Sequence, residues 1–291
     1  MSACLVAGNI VVDTLVRPVT KIHWGTTQWV DAIAQSLGGN GANTSFALGM
    51  LGFPVRLMGD VGDDPAGEFA LAELHRAGVA TKHVQRTTAA TAATVALVDP
   101  EGRRALLHVP GASAEAFREV PLVWPNDVTH LHIANPYAVP HLRQHAPAML
   151  RRAKERGMST SLDCGWDARG EWNMVLDPCL PFTDLLFLNE SEAEHLGDPQ
   201  APVVVKKLGE RGCSVNAQLV PGFAVAAVDS TGAGDCFVAG FLAARQRGST
   251  MMEAARFANA VGALSVSQLG SVAGVINYAE TQAWISRQPA R

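Results

Sequence analysis

The stretch that most restricts the fold is Asp229 to Gly240, which reads Asp-Ser-Thr-Gly-Ala-Gly-Asp-Cys-Phe-Val-Ala-Gly. An apolar run, Phe223 to Val228, leads in and reads as a buried strand; a second, Cys236 to Ala244, leads out and carries helix-forming residues. A strand that turns through glycines into a helix leaves the first helical N–H groups without intrahelical partners, at the positive end of the helix dipole. That end suits an anion, and glycine lets a phosphate approach the backbone closely. Asp235 stands in the first turn, where a carboxylate can take a proton from whatever attacks that phosphate. Taken alone, Asp235 is better read as an N-cap, a position aspartate favours. The rest of the chain turns the balance.

A second glycine-rich entry into a helix lies upstream, Leu37-Gly38-Gly39-Asn40-Gly41-Ala42-Asn43, with a helix expected from Thr44 to Leu51. It is not a dinucleotide fingerprint, because the third glycine is replaced by Thr44, and no P-loop occurs in the chain. Asn43 can donate and accept toward a hydroxylated ligand, or simply cap. Strand, turn and helix recur: a strand over 55–59, a helix over 68–77, a strand over 128–133, a helix over 141–156 and strands over 159–164, 185–188 and 203–205. This rhythm predicts an α/β fold. Residues 213–220 follow as a further apolar run, and helices are expected over 236–247, 251–268 and 278–287.

Two segments break the rhythm. Residues 13–36 read as short strands with Trp24 and Trp29 among them, either packed on a sheet face or walling a ligand. Residues 92–98 and 103–109 flank the turn Asp99-Pro100-Glu101-Gly102 and form a hairpin. Together they predict a small β-lid, built from about 13–36 and 92–110, of the kind that keeps water from a phosphoryl group in transfer.

Other clusters admit ordinary roles. Asp60, Asp63 and Asp64 suit capping and turns better than a metal. His130 with His132, and His141 with His145, have ligand-like spacing but no carboxylate to complete a zinc site. Asp163 and Trp166 end a strand where open α/β sheets bind ligands. Asn189 and Glu192 at another strand end can hold a hydrated Mg²⁺ or form a capping box.

The chain has 291 residues, 48% hydrophobic, with a formal net charge of -4, so no nucleic-acid or acidic-membrane partner is expected. Five cysteines without C-x-x-C spacing suit reduced thiols, and neither a secretion signal nor an apolar run of about 18–20 residues is seen. A cytoplasmic protein is the expectation.

In motif order and spacing, from first strand to last helix, the chain resembles the ribokinase-like sugar kinases of the PfkB family. Gly38 to Asn43 and Asp229 to Asp235 carry the resemblance, with Asn189, Glu192 and the turn Lys207 to Gly212 between them. It implies a single ribokinase-like domain over 1–291, three-layered, with a mostly parallel central sheet, helices on both faces and the β-lid. It implies ATP, Mg²⁺ and a small sugar or nucleoside as substrate. Asp235 would be the catalytic base, and Gly232, Ala233 and Gly234 the anion hole. Asp13, Gly38, Gly39 and Asn43 would hold the sugar. Asn189, Lys207, Gly209, Gly212 and Asn259 would meet the nucleotide, Glu192 the Mg²⁺, and Asp229 a K⁺ ion. A carboxylate at a helix N-terminus is expected to stay ionised at neutral pH. The lid offers an edge for a homodimer. Departures are Asn40 in place of the lysine of ribokinases proper, short segments over 193–205 and 215–221, and no proline over 270–275. The N-terminal motifs lack a basic cluster, which disfavours a phosphorylated sugar; Arg103 and Arg104 on the hairpin stand against that. A catalytically silent binder of sugar or nucleotide is the reading of another class, and the presence of Asp235 and its glycines speaks against it.

Overall fold

The strand Ala3–Ala7 is buried along its whole length. Side chains alternate across a strand, so a strand buried on both faces belongs inside a covered, parallel sheet. In the computed structural model, which describes residues 2–101, 103–120, 124–197 and 199–289, this strand has a parallel neighbour on each side.

In chain order the strands are β1 (Ala3–Ala7), β2 (Val11–Arg17), β3 (Ala32–Gly38), β4 (Val55–Gly62), β5 (Ala80–Thr87), β6 (Ala92–Val98), β7 (Arg104–Val109), β8 (Val128–Ala134), β9 (Ser159–Asp163), β10 (Leu185–Asn189), β11 (Val203–Lys207), β12 (Gly212–Val215) and β13 (Gln218–Pro221). The helices are α1 (Asn40–Met50), α2 (Pro65–Arg76), α3 (Pro140–Glu155), α4 (Asn173–Leu176), α5 (Glu190–Leu196), α6 (Ala233–Gln246), α7 (Met251–Ser265) and α8 (Tyr278–Arg287). A nine-stranded sheet runs β13-β12-β11-β10-β9-β8-β1-β4-β5. It is parallel from β11 to β5, and β12 and β13 close one edge antiparallel.

The alternation sorts the core into two layers. Cys4, Val6, Leu185 and Phe187 face a cluster with α1, α2, α6 and α7. Leu5, Ala7, Leu186 and Leu188 face the opposite cluster with α3 and α5. Helices on both faces of a mostly parallel sheet are the expected three-layer α/β fold. Small residues bring α6 and α7 together as their sequence implies: a Cβ built on Gly240 would lie 2.9 Å from Val261 and 3.1 Å from the backbone of Ala258.

A separate four-stranded sheet, β3-β2-β6-β7, is formed by the two segments that broke the rhythm. Gly102, in the expected turn between β6 and β7, lies outside the described residues. Among the described residues no helix is long and apolar enough to cross a membrane.

One expectation is corrected. Phe223–Val228 is not a strand; it runs as extended chain with no sheet partner and is tethered at its end by Val228 N–H donating to the Val266 carbonyl at 2.7 Å. Its apolar residues are there because they wall a groove, described below. The run 213–220 forms a hairpin, because Asn216 and Ala217 both take positive φ (45° and 68°) and reverse the chain.

Candidate active site

Gly232 is the N-cap of α6 in the left-handed region, φ 69°, and no side chain caps this helix. A Cβ on Gly232 would lie 2.6 Å from the Ser271 carbonyl oxygen, so both conformation and space require glycine. The uncapped first turn, Ala233 to Asp235, carries donors and dipole toward one point.

Asp235 is buried there, 5% exposed, and α1 supplies its partners. Asn40 Nδ2 donates to one carboxylate oxygen at 2.8 Å and Asn43 Nδ2 to the other at 2.9 Å. Each amide is itself held: Asn135 donates to the Asn40 carbonyl oxygen at 2.9 Å, and the Ser271 hydroxyl to that of Asn43 at 3.0 Å. Burial, and then the neighbouring Asp163 carboxylate, push the pKa of Asp235 up to about 7, against the opposing pull of the two amide bonds and Lys207. The expectation that the helix N-terminus keeps Asp235 fully ionised at neutral pH is therefore corrected: desolvation outweighs the dipole.

Asp163, at the end of β9, accepts from Lys207 Nζ at 2.6 Å, with both side chains largely buried. Burial pushes Lys207 down, but Asp163 and Glu192 outweigh it and hold its pKa above the ordinary value. The ammonium stands against the glycine turn, 3.3 Å from where a Gly234 Cβ would be. Asn189 and Glu192 form a full capping box on α5: the Asn189 N–H and amide donate to the two Glu192 oxygens, both at 2.8 Å, and Glu192 N–H donates to Asn189 Oδ1 at 2.9 Å. Burial raises the Glu192 pKa despite Lys207.

A groove of about 610 Å³ opens beside this cluster, lined by Gly209, Gly212, Phe223, Ser230, Gly234 and Asn259 among others. Lys207 also reaches it. Asn259 donates to the carbonyls of Val220 and Pro221 at 3.0 and 3.1 Å, which ties the β13 edge to α7 beneath the groove. Of the residues expected along a nucleotide, Lys207, Gly209, Gly212 and Asn259 line this groove and Asn189 does not.

The smaller sheet contributes the other side. Asp13 on β2 lies over Gly38, where a Cβ would come within 2.2 Å of its carboxylate. Burial raises the Asp13 pKa, with a bond to Thr94 and the nearby Arg104 opposing. Arg104 reaches across to the glycine turn that opens α6, with Nη2 3.0 Å from Ser230 Oγ, Nη1 3.4 Å from Asp229 Oδ1, and a contact with the Thr231 hydroxyl. Asp229 is otherwise an internal anchor: Thr231 N–H and hydroxyl donate to one oxygen and Gly270 N–H to the other. Trp24 and Trp29 do not pack on the sheet; both are more than 90% exposed.

Sequence reasoning did not assign Asn40, Asn135, Asp163, Ser271 or Arg104 to the site. Asn40 lay inside the quoted motif, and Asp163 carried the signal of a strand end. Arg104 carried the signal of a hairpin arginine suited to a phosphorylated sugar, whereas Asn135 and Ser271 carried no local signal, since only the fold brings them in. The doubtful clusters resolve structurally. Asp64 caps α2 and bonds Thr91. His130 and His132 bond Ser161 and Ser159 within the sheet. Among the described residues no group of three or more His, Cys, Asp or Glu could hold a metal ion.

Fold and site together define a ribokinase-like kinase. The family of the pfkB carbohydrate kinases matches residues 1–277, and the chain belongs to it. It is 34% identical over 280 residues to an ATP-dependent ribose-1-phosphate kinase of Halopiger xanaduensis, covering 86% of this chain and 91% of that one. It is 28% identical to a ribokinase of Bacillus subtilis over 97% of this chain and 98% of that one. An Arabidopsis thaliana ribokinase solved with ribose and ATP superposes with a TM-score of 0.82 at 22% identity, covering 98% and 99% of the two chains.

Proposed function

We propose that the protein transfers the γ-phosphoryl group of ATP to a hydroxymethyl group of a small sugar, with Asp235 as general base. The observation that carries this is a buried carboxylate, held by two amides, in the uncapped first turn of α6 at the mouth of the groove. The sugar hydroxyl gives its proton to Asp235 while its oxygen forms a bond to the γ-phosphorus. The bond from that phosphorus to the bridging oxygen breaks, and ADP leaves with the electron pair. The N–H groups of Gly232, Ala233 and Gly234 face the oxygens on which charge gathers, and Lys207 adds a cation beside Gly234. ATP lies along Gly209, Gly212 and Asn259, and Asp13, Gly38 and Gly39 hold the sugar. Asn43 serves the base first: its carbonyl and one N–H are committed, which leaves one N–H for a hydroxyl.

Mg²⁺ suits the oxygen donors here and supplies charge neutralisation on the phosphates when bound. Both Glu192 oxygens are taken by Asn189, so these two residues would hold it through water. The fit to K⁺ is poorer, because N–H and hydroxyl donors already engage both oxygens of Asp229. The smaller sheet acts as the lid, and its outer face is the surface on which a second copy docks.

The test is ADP release with Mg-ATP over a panel of sugars, sugar phosphates and nucleosides. Turnover on at least one is expected, and Asp235→Asn is expected to keep nucleotide affinity while losing about 100-fold or more in kcat. Near-normal turnover in that variant would remove Asp235 from the role of base.

A further inference from the structure

Arg103 and Arg104 are neighbours with different fates. Arg103 folds back on the hairpin, pairing with Asp99 and Glu101. Arg104 leaves β7 on the face that carries Asp13, as the pairing Asp13–Thr94–His108 and Val98–Arg104 requires, and ends against Ser230 and Thr231. Its contacts there do not account for its charge. Two are to neutral hydroxyls. The third, to Asp229, is long at 3.4 Å, and that carboxylate already accepts from Thr231 at 2.9 and 2.6 Å and from Gly270 at 3.0 Å. A guanidinium has more donors than these contacts use, arranged to match phosphate oxygens.

Its position is a junction. Ser230 lines the groove assigned to the nucleotide, whereas Asp13, on the sugar side, feels the charge of Arg104. Lys207 flanks the glycine turn from the sheet side, and Arg104 flanks the start of the same turn from the other. The site is rich in carboxylates: Asp13, Asp163, Glu192, Asp229 and Asp235. A polyanion entering it needs compensating cations, and a lid-borne one arrives only as the lid closes.

Resting on the kinase reading above, we propose that Arg104 binds phosphoryl oxygens at the junction of sugar pocket and nucleotide groove, exchanging its contacts with Ser230 and Thr231 for an anion. Two sources supply that chemistry: the γ-phosphoryl group in transfer, or a phosphate already carried by the sugar. Arg104 takes no proton and forms no covalent bond; it meets charge that the reaction or the substrate brings.

The experiment compares wild type with Arg104→Gln and Arg104→Lys, using ADP release and calorimetric binding of ADP and of a non-hydrolysable ATP analogue. If the transferred phosphoryl is the ligand, R104Q lowers kcat about 100-fold or more on every sugar and weakens the analogue but not ADP, with partial recovery in R104K. If the sugar's phosphate is the ligand, the loss falls on KM and only for phosphorylated sugars. An R104Q enzyme within about threefold of wild type in kcat, in KM for both sugar classes and in analogue affinity overturns the proposal and leaves Arg104 a lid latch. Unchanged thermal unfolding of R104Q excludes misfolding as the cause. Failure of wild type to phosphorylate anything on the panel would sink the kinase reading instead, and the binding arm would still decide whether Arg104 meets the terminal phosphoryl group of the nucleotide.

Discussion

At the scale of single residues, Asp235 sets the pH behaviour. Its folded pKa stands at about 7, raised first by burial and then by Asp163. As the proposed base it must be ionised, so kcat/KM should rise with pH and level off above about 7. The same rise has a thermodynamic sign. Between the ordinary value of 3.8 and about 7, the native state keeps a proton that the unfolded chain has released. Stability from this residue therefore falls as pH rises through that window and is flat above it, by a total on the order of 4 kcal/mol. Asp235→Asn removes this contribution. Urea unfolding at intervals from pH 5 to 8 should show a shallower decline for the variant than for wild type, and parallel curves would refute the assignment of the shift to Asp235. Asp60, with a pKa raised to about 6 by burial, acts in both proteins and does not enter the difference.

At the scale of elements, α5 poses the question of what Glu192 is for. The helix is short, Glu190–Leu196, and its capping box occupies both Glu192 oxygens. Glutamine keeps the backbone half of such a box but turns an NH₂ toward Asn189 Nδ2, and alanine keeps neither bond, at a cost of about 1 kcal/mol. Glu192→Gln should thus stay folded, unfolding only somewhat below wild type, while raising the Mg²⁺ concentration for half-maximal turnover about tenfold, the usual scale for an outer-shell ligand. An unchanged Mg²⁺ requirement in E192Q would make the residue a cap alone. The pair also shows what was legible in the sequence. Asn189 and Glu192, like Gly232 to Asp235, stand within a few positions of each other, and local spacing was enough to single them out. Asp235 meets Asn40 and Asn43 across nearly two hundred residues, and Arg104 meets Ser230 across more than a hundred, so no spacing announces them. The misreading of Phe223–Val228 has a related cause. An apolar run reports burial against something, and here that is a groove wall, with Phe223 against Trp284 and beneath Arg256, rather than a sheet.

At the scale of the whole molecule, the α/β order and the four lid strands followed from alternation and turn residues, but what the lid does with its two faces did not. Its inner face buries Leu15 and Ala96 and carries Asp13 and Arg104 toward the site. Its outer face presents Ile33, Val95, Leu107 and Val109, exposed by 68, 37, 62 and 54%. β3 and β7 are the outermost strands of this sheet. An apolar face bounded by unpaired edges is a surface that tends to find a partner, and a second copy offers the same face for a two-fold contact. Wild type is expected to sediment as a dimer at micromolar concentration, and Leu107→Lys as a monomer with unchanged thermal unfolding. Leu107 sits between strand neighbours that face inward, so the dimer would also stiffen the platform from which Arg104 and Asp13 act. The monomeric variant should accordingly show a higher KM for its sugar, whereas ADP affinity, assigned above to the groove between α7 and β13, should not change. A wild-type protein that stays monomeric across that concentration range would overturn the lid as an interface, and the two faces of the sheet would then have to be explained separately.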